Sequence, residues 1–187
     1  GRKLAIFSAR EGGLLDRIPV PPDVPLTPAW TPDGKSIVFS AMEQNQRDIF
    51  MIDLATKAVT NLTNDSYYDS APVVSPDGRY ALSGGDDEVM RLWDLKTEKE
   101  VAVLAGHNGP VLAVTFTPDG RRAVSGGADK TVRVWNLADR KEVACFTGHT
   151  NTIEKVEVSS DGKYAFSRIQ PKQEMAIVWR LPEAPGP

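Results

Sequence analysis

Between residues 107 and 148 apolar and polar positions alternate in short runs separated by turn residues. Val111 to Thr117 is rich in β-forming residues and is closed by Pro118-Asp119-Gly120, in which Pro presets φ and Gly tolerates positive φ. Arg122 to Ser125 is a second run, ended by Gly126-Gly127-Ala128-Asp129. Along Thr131 to Leu137, Val132 and Val134 share one face and Arg133 and Trp135 the other, the period of a strand. Glu142 to Phe146 is a fourth run. Turns every ~8–12 residues between such runs predict a four-stranded antiparallel meander. VLAVTF (111–116) is apolar nearly throughout, so both faces of this sheet need cover, which radial stacking of sheets provides.

The unit repeats. Asp-Gly occurs at 33–34, 77–78, 119–120 and 161–162, in steps of 44, 42 and 42. The surrounding strings are TPDG, SPDG, TPDG and SSDG. Trp93, Trp135 and Trp179 keep the same clock, and Gly106-His107 and Gly148-His149 lie 42 apart. One period held by three markers predicts an array of like units rather than a layered domain.

The GH pair, the PDG turn, SGG-x-D and the W-D or W-N ending resemble the WD-repeat family of β-propellers. The resemblance implies an all-β propeller of four-stranded antiparallel blades, strand a innermost and strand c carrying the Trp, with about four blades in this chain. It also implies a structural tetrad, complete as His107, Ser125, Asp129 and Trp135. The blade before keeps Ser83, Asp87 and Trp93 but has no GH. The last keeps His149, Ser167 and Trp179, and its longer turn lacks the Asp. Residues 27–65 instead resemble the TolB-type propeller repeat, with Trp30 on strand a and Ile52 where later blades hold Trp.

The expected organisation is a half blade at 1–22, a TolB-like blade at 27–65, WD-type blades at 69–104 and 105–146, a three-stranded blade at 149–181 and a tail at 182–187. That makes seventeen strands. LLDRIPV (14–20) could complete the last blade as its outer strand, which would leave KLAIFSA surplus. A piece of a larger propeller, a ring shared by two chains and a closed four-blade ring all stay open. Incomplete terminal blades would expose strand edges and apolar faces. Self-association is therefore expected, with 1–22 against 153–181 of a neighbour.

Composition narrows the class of partner. The 22 basic and 25 acidic groups of the 187 residues give a net charge of −3, which argues against nucleic acid and anionic membranes as partners. Gly and Pro make up 29 residues, as a turn-rich fold requires. No apolar run approaches the ~18 residues of a membrane span. The single cysteine, Cys145, excludes an intramolecular disulfide, favours a reducing compartment such as the cytoplasm, and reads as a small core residue. The TolB-like part makes the periplasm the alternative location.

His107 and His149 are the only histidines, and each could be imagined as a general base. Both follow Gly at the repeat spacing, which reads as a structural bond across the blade. Asp87 and Asp129 read as turn acids bonded to backbone N–H groups or to that His. No G-x-S-x-G, P-loop, H-E-x-x-H or C-x-x-C is present, so no enzymatic activity, cofactor or metal is expected.

What remains is recognition of a protein or peptide. In propellers of this family the d–a and b–c loops open on one face. The d–a loop 63–70 (TNDSYYDS) offers Tyr67 and Tyr68, side chains enriched at interfaces. The b–c loops 41–48 and 168–175 are each two residues longer than their equivalents and carry Arg47, Arg168 and Lys172. LTND-x-x-x-D also recurs in TolB-type repeats, so Asp65 and Asp69 read as loop structure. The favoured function is a non-catalytic scaffold, itself part of a larger protein. A propeller regulating or shielding an attached kinase or peptidase, and an engineered or truncated chain that oligomerises to complete a ring, are the alternatives.

Overall fold

The computed structural model describes residues 3–7, 14–19, 26–43, 45–169 and 176–183. Among them are seventeen strands and no helix, arranged in five antiparallel sheets. A hairpin of β1 (Lys3–Phe7) and β2 (Leu14–Pro19) comes first. Three four-stranded meanders follow. The first joins β3 (Leu26–Trp30), β4 (Ser36–Glu43), β5 (Gln46–Asp53) and β6 (Val59–Asn61). The second joins β7 (Asp69–Val74), β8 (Tyr80–Gly85), β9 (Val89–Asp94) and β10 (Lys99–Ala105). The third joins β11 (Val111–Phe116), β12 (Arg122–Gly127), β13 (Thr131–Asn136) and β14 (Lys141–Thr147). A three-stranded sheet of β15 (Ile153–Val158), β16 (Tyr164–Ile169) and β17 (Ile177–Arg180) ends the order.

Each sheet is made from consecutive strands because each β-turn is short and strongly specified. In all four PDG-type turns the glycine takes φ near +70°: 70° at Gly34, 73° at Gly78, 68° at Gly120 and 70° at Gly162. The hydroxyl two residues before the Asp donates to its carboxylate, from Thr31 to Asp33 at 2.7 Å and from Ser159 to Asp161 at 2.6 Å. The same carboxylate accepts the backbone N–H two residues on, at 3.0 Å in Lys35, Arg79, Arg121 and Lys163. These bonds hold the carboxyls of Asp33, Asp77 and Asp161 below the ordinary range, which fits acids that close turns.

Successive sheets pack face to face, and an apolar layer fills each interface. Ile18 of β2 is buried against Ile37, Phe39, Phe50 and Ile52. Val38, Ile49 and Met51 meet Ala81, Trp93 and Leu95 of the next sheet. Leu82, Met90 and Leu104 meet Val111, Phe116 and Trp135. Val124, Val132 and Val134 meet Ile153, Val156 and Ala165. Innermost strands approach closely because strand b carries glycine where they meet. A methyl group on Gly84 would overlap the Val111 carbonyl, and one on Gly126 would stand 2.5 Å from Ile153 Cγ2.

The half blade forms, one alternative falls away, and one expectation needs correction. LLDRIPV does not complete the last sheet: β2 pairs with β1, Leu4 opposite Ile18, and β17 pairs with β16 alone among the described residues. A hairpin between chain neighbours closes a far smaller loop than a pairing with residues about 160 positions away. Cys145 is exposed, because it lies on the outermost strand β14 between half-buried Ala144 and Phe146.

Candidate partner face and its buried polar supports

The tetrad residues of the third meander lie in one chain of hydrogen bonds. His107 Nδ1 is 2.9 Å from Asp129 Oδ2, and its Nε2 is 2.7 Å from Ser125 Oγ. Trp135 Nε1 donates to the same Oγ at 2.8 Å. An ionised carboxylate only accepts, so Nδ1 carries the imidazole proton and Nε2 accepts the Ser125 hydroxyl proton. Every N–H and O–H of the four side chains then has an acceptor, with the imidazole neutral. Burial lowers the His107 pKa, and Asp129 offsets that only in part. Burial acts to raise Asp129, but the Asn108 and Thr131 N–H groups and His107 hold it below the ordinary value. Both nitrogens of His107 are thus committed to neighbours and neither faces a substrate.

The other two WD-type sheets hold partial versions. In the last, His149 Nε2 lies 2.6 Å from Ser167 Oγ, to which Trp179 donates at 2.7 Å. His149 packs edge-on to the Trp179 ring, and burial lowers its pKa. In the second meander, Trp93 donates to Ser83 at 3.0 Å, with no histidine. Asp87 bonds neither backbone nor histidine there: it takes Arg91 Nη2 at 2.5 Å, because no imidazole is available to it.

Arg91 stands at the centre of an acidic group. Besides Asp87 it faces Asp65 at 3.5 Å, Asp69 at 3.9 Å and Glu100 at 3.2 Å. A step of 42 in the sequence maps Asp65 onto His107, Asp87 onto Asp129, Arg91 onto Arg133 and Glu100 onto Glu142. Arg133 likewise joins Asp129, at 3.6 Å, to Glu142, at 2.5 Å. An arginine–acid frame is therefore common to both sheets, and one has an aspartate where the other has histidine. Reading the acids as loop structure missed this frame, although the 42-residue comparison carries its signal.

Directly above that frame lies the aromatic loop. Tyr67 and Tyr68 are 48% and 41% exposed. The expected 41–48 loop is instead the paired tip of the β4–β5 hairpin, and it supports both: Gln46 Nε2 donates to the Tyr67 carbonyl, and the Tyr68 hydroxyl donates to the Asn45 carbonyl at 3.1 Å. The Arg47 guanidinium lies 5.7 Å from the centre of the Tyr68 ring, within cation–π range. From the other side Asp86 N–H donates to the Tyr68 carbonyl at 3.0 Å. Arg47, Tyr67 and Tyr68 thus come together at the junction of two sheets. Arg168 lies apart from them, on β16 opposite Lys155, and Lys172 falls outside the described residues.

The WD domain, G-beta repeat family matches residues 57–94 and 98–136. The chain carries WD40 repeats. The first matched stretch takes in β6 through β9 and the second β10 through β13, so each WD40 repeat joins one sheet's outer strand to three strands of the next. This overlap ties neighbouring blades covalently. The chain is also similar to the Tol-Pal system protein TolB of Francisella tularensis subsp. tularensis (strain WY96-3418), 39% identical over 62 residues. That stretch is 32% of this chain and 14% of the relative. TolB of F. tularensis subsp. mediasiatica (strain FSC147) matches to the same extent. The chain therefore spans about a seventh of the length of these curated relatives.

Proposed function

We propose that this chain is a non-catalytic propeller module that binds a protein or peptide through the face bearing Tyr67, Tyr68 and Arg47. One observation carries the reading: two adjacent exposed tyrosines sit on a turn whose backbone, with the Tyr68 hydroxyl, is hydrogen-bonded to the β4–β5 hairpin and to the turn after β8. A turn and a Tyr68 ring fixed before binding lose little conformational freedom on contact, which is how few residues come to dominate an interface. The WD40 repeats support a binding role, and the committed hydrogen bonds of His107 support a structural one for the histidines. A random peptide library displayed on phage and selected against the full chain tests the proposal. Binders should lose affinity for the Tyr67→Ala/Tyr68→Ala double variant while its unfolding midpoint is unchanged. Selected binders that ignore the double variant would refute it.

A second reading is self-association. Among the described residues β17 has a strand partner on one side, and Val178 and Tyr164 of the same sheet are 65% and 45% exposed. A second copy would cover this edge and face. Light scattering at micromolar concentration should give at least twice the monomer mass; a monomer mass excludes this reading and leaves the first intact.

A further inference from the structure

The innermost strand of each WD-type sheet begins with a residue sunk between sheets. In two of them it is Val111 or Ile153, both fully buried. At the equivalent position of the 69–105 sheet stands Asp69, also fully buried, and neither of its carboxylate oxygens has a partner at hydrogen-bond distance, the Thr63 hydroxyl acting on it only from further off. An acid in a slot built for valine departs from the local pattern, and such departures mark functional positions. Its charged surroundings come from four elements. Asp65 faces it from the 63–68 turn, Asp87 from the turn after β8 and Arg91 from β9, while Glu100 on β10 reaches Arg91 from the far side. Asp48, on β5 of the neighbouring sheet, faces Asp65.

We propose that Asp69 is a proton-operated catch for the turn that carries Tyr67 and Tyr68: its ionisation draws Arg91 away from Asp65, and the turn is released. In the structure Arg91 Nη2 serves Asp87 and lies 3.5 Å from Asp65, whereas Nη1 has no hydrogen bond and stands 3.9 Å from Asp69 Oδ1. Asp65 shapes the turn by accepting the Tyr67 N–H at 2.8 Å. An ionised Asp69 offers Nη1 a charge-assisted bond and sets a third negative charge beside Asp65 and Asp87. Asp65 yields first, because its side chain is 27% exposed against 11% for Asp87 and none for Asp69. Burial pushes the Asp69 carboxyl up to about 7 and Asp65 adds to the rise, while Thr63 and Arg91 offset part of it. The catch therefore works near neutral pH. Its effect on a partner rests on the proposed binding face; the catch itself does not.

The test uses the full chain with ¹³C-labelled aspartate, followed by NMR from about pH 5 to about pH 9. Asp69 Cγ should titrate with a midpoint near 7. Amide protection at residues 64–68, corrected for intrinsic exchange, should fall about tenfold over the same range. Asp69→Asn should abolish that fall. Asp65→Asn, which leaves Asp69 in place should that first variant fail to fold, should move the Asp69 midpoint downward. An Asp69 Cγ that titrates below about pH 5, or an undiminished loss of protection in Asp69→Asn, would overturn the proposal. No partner enters the measurement, so a failed peptide selection and a failed catch are separate results.

Discussion

Ser83, Ser125 and Ser167 occupy one strand position in three sheets, with different company, and so calibrate the buried networks. Replacing Ser125 by Ala removes one oxygen and leaves two buried groups without partners, the Trp135 N–H and His107 Nε2. Trp135 is 1% and His107 5% exposed, so water cannot substitute for the hydroxyl. At about 1–3 kcal/mol for each orphaned buried group, Ser125→Ala should cost about 3 kcal/mol. Ser83→Ala orphans the Trp93 N–H alone and should cost about half of that. Ser167→Ala orphans His149 Nε2 and the Trp179 N–H, but the Trp179 ring is only half-buried and water can reach it. Its cost should fall between the other two. Urea unfolding followed by tryptophan fluorescence measures all three against the wild type. Three equal costs, or a Ser83→Ala cost matching Ser125→Ala, would mean that the hydroxyls matter only as volume.

Trp135→Ala should cost about 3–5 kcal/mol, and Trp179→Ala clearly less because less of that ring is buried; urea midpoints compare them. His107→Ala and Asp129→Ala should be sub-additive by about 0.5–3 kcal/mol in a double-mutant cycle, since each removes the same 2.9 Å bond. Asp69 sets a pH dependence of stability. Its folded-state pKa of about 7 lies above the ordinary carboxylate value, so the folded chain keeps a proton that the unfolded chain has lost. Stability should fall as pH rises from about 4 to about 7 and then level, by about 4 kcal/mol in all, and Asp69→Asn should remove that slope. His107 acts in the opposite direction. Its lowered pKa, like that of His149, makes stability fall as pH drops below about 6.5, so the Asp69→Asn chain should keep this acid-side loss.

The parts of this molecule that repeat were legible in its sequence. Turn glycines, strand tryptophans and the paired histidines each serve one local purpose, and a 42-residue comparison exposes them because every sheet needs them alike. Asp69 escaped because its meaning lies in a difference between repeats: a carboxylate in a turn-rich string looks solvated until Val111 and Ile153 are seen buried at the same position. For β2 the sequence allowed two partners, β1 in a half blade or the last sheet, and the structure takes the first. Edge strands carry no mark of their partner, and β1 competes for β2 from a few residues away. Cys145 reads as core from its residue type, although the resemblance puts the fourth run, β14, outermost, which is what exposes it.

The close approach at Gly84 and Gly126 gives the array a direction. Each of these glycines leaves a notch in strand b that receives the innermost strand of the sheet that follows. In the last sheet the same register position, opposite Lys155 as Gly126 is opposite Ala113, is held by Arg168, and the next position by Ile169 in place of Gly127. An arginine therefore stands where the two preceding sheets have the notch glycine. A further WD40 repeat laid on that sheet in the manner of its predecessors would have to accommodate a Cβ and more where they accommodate none. Whatever meets this side meets an arginine position where the earlier joints present only a glycine hydrogen.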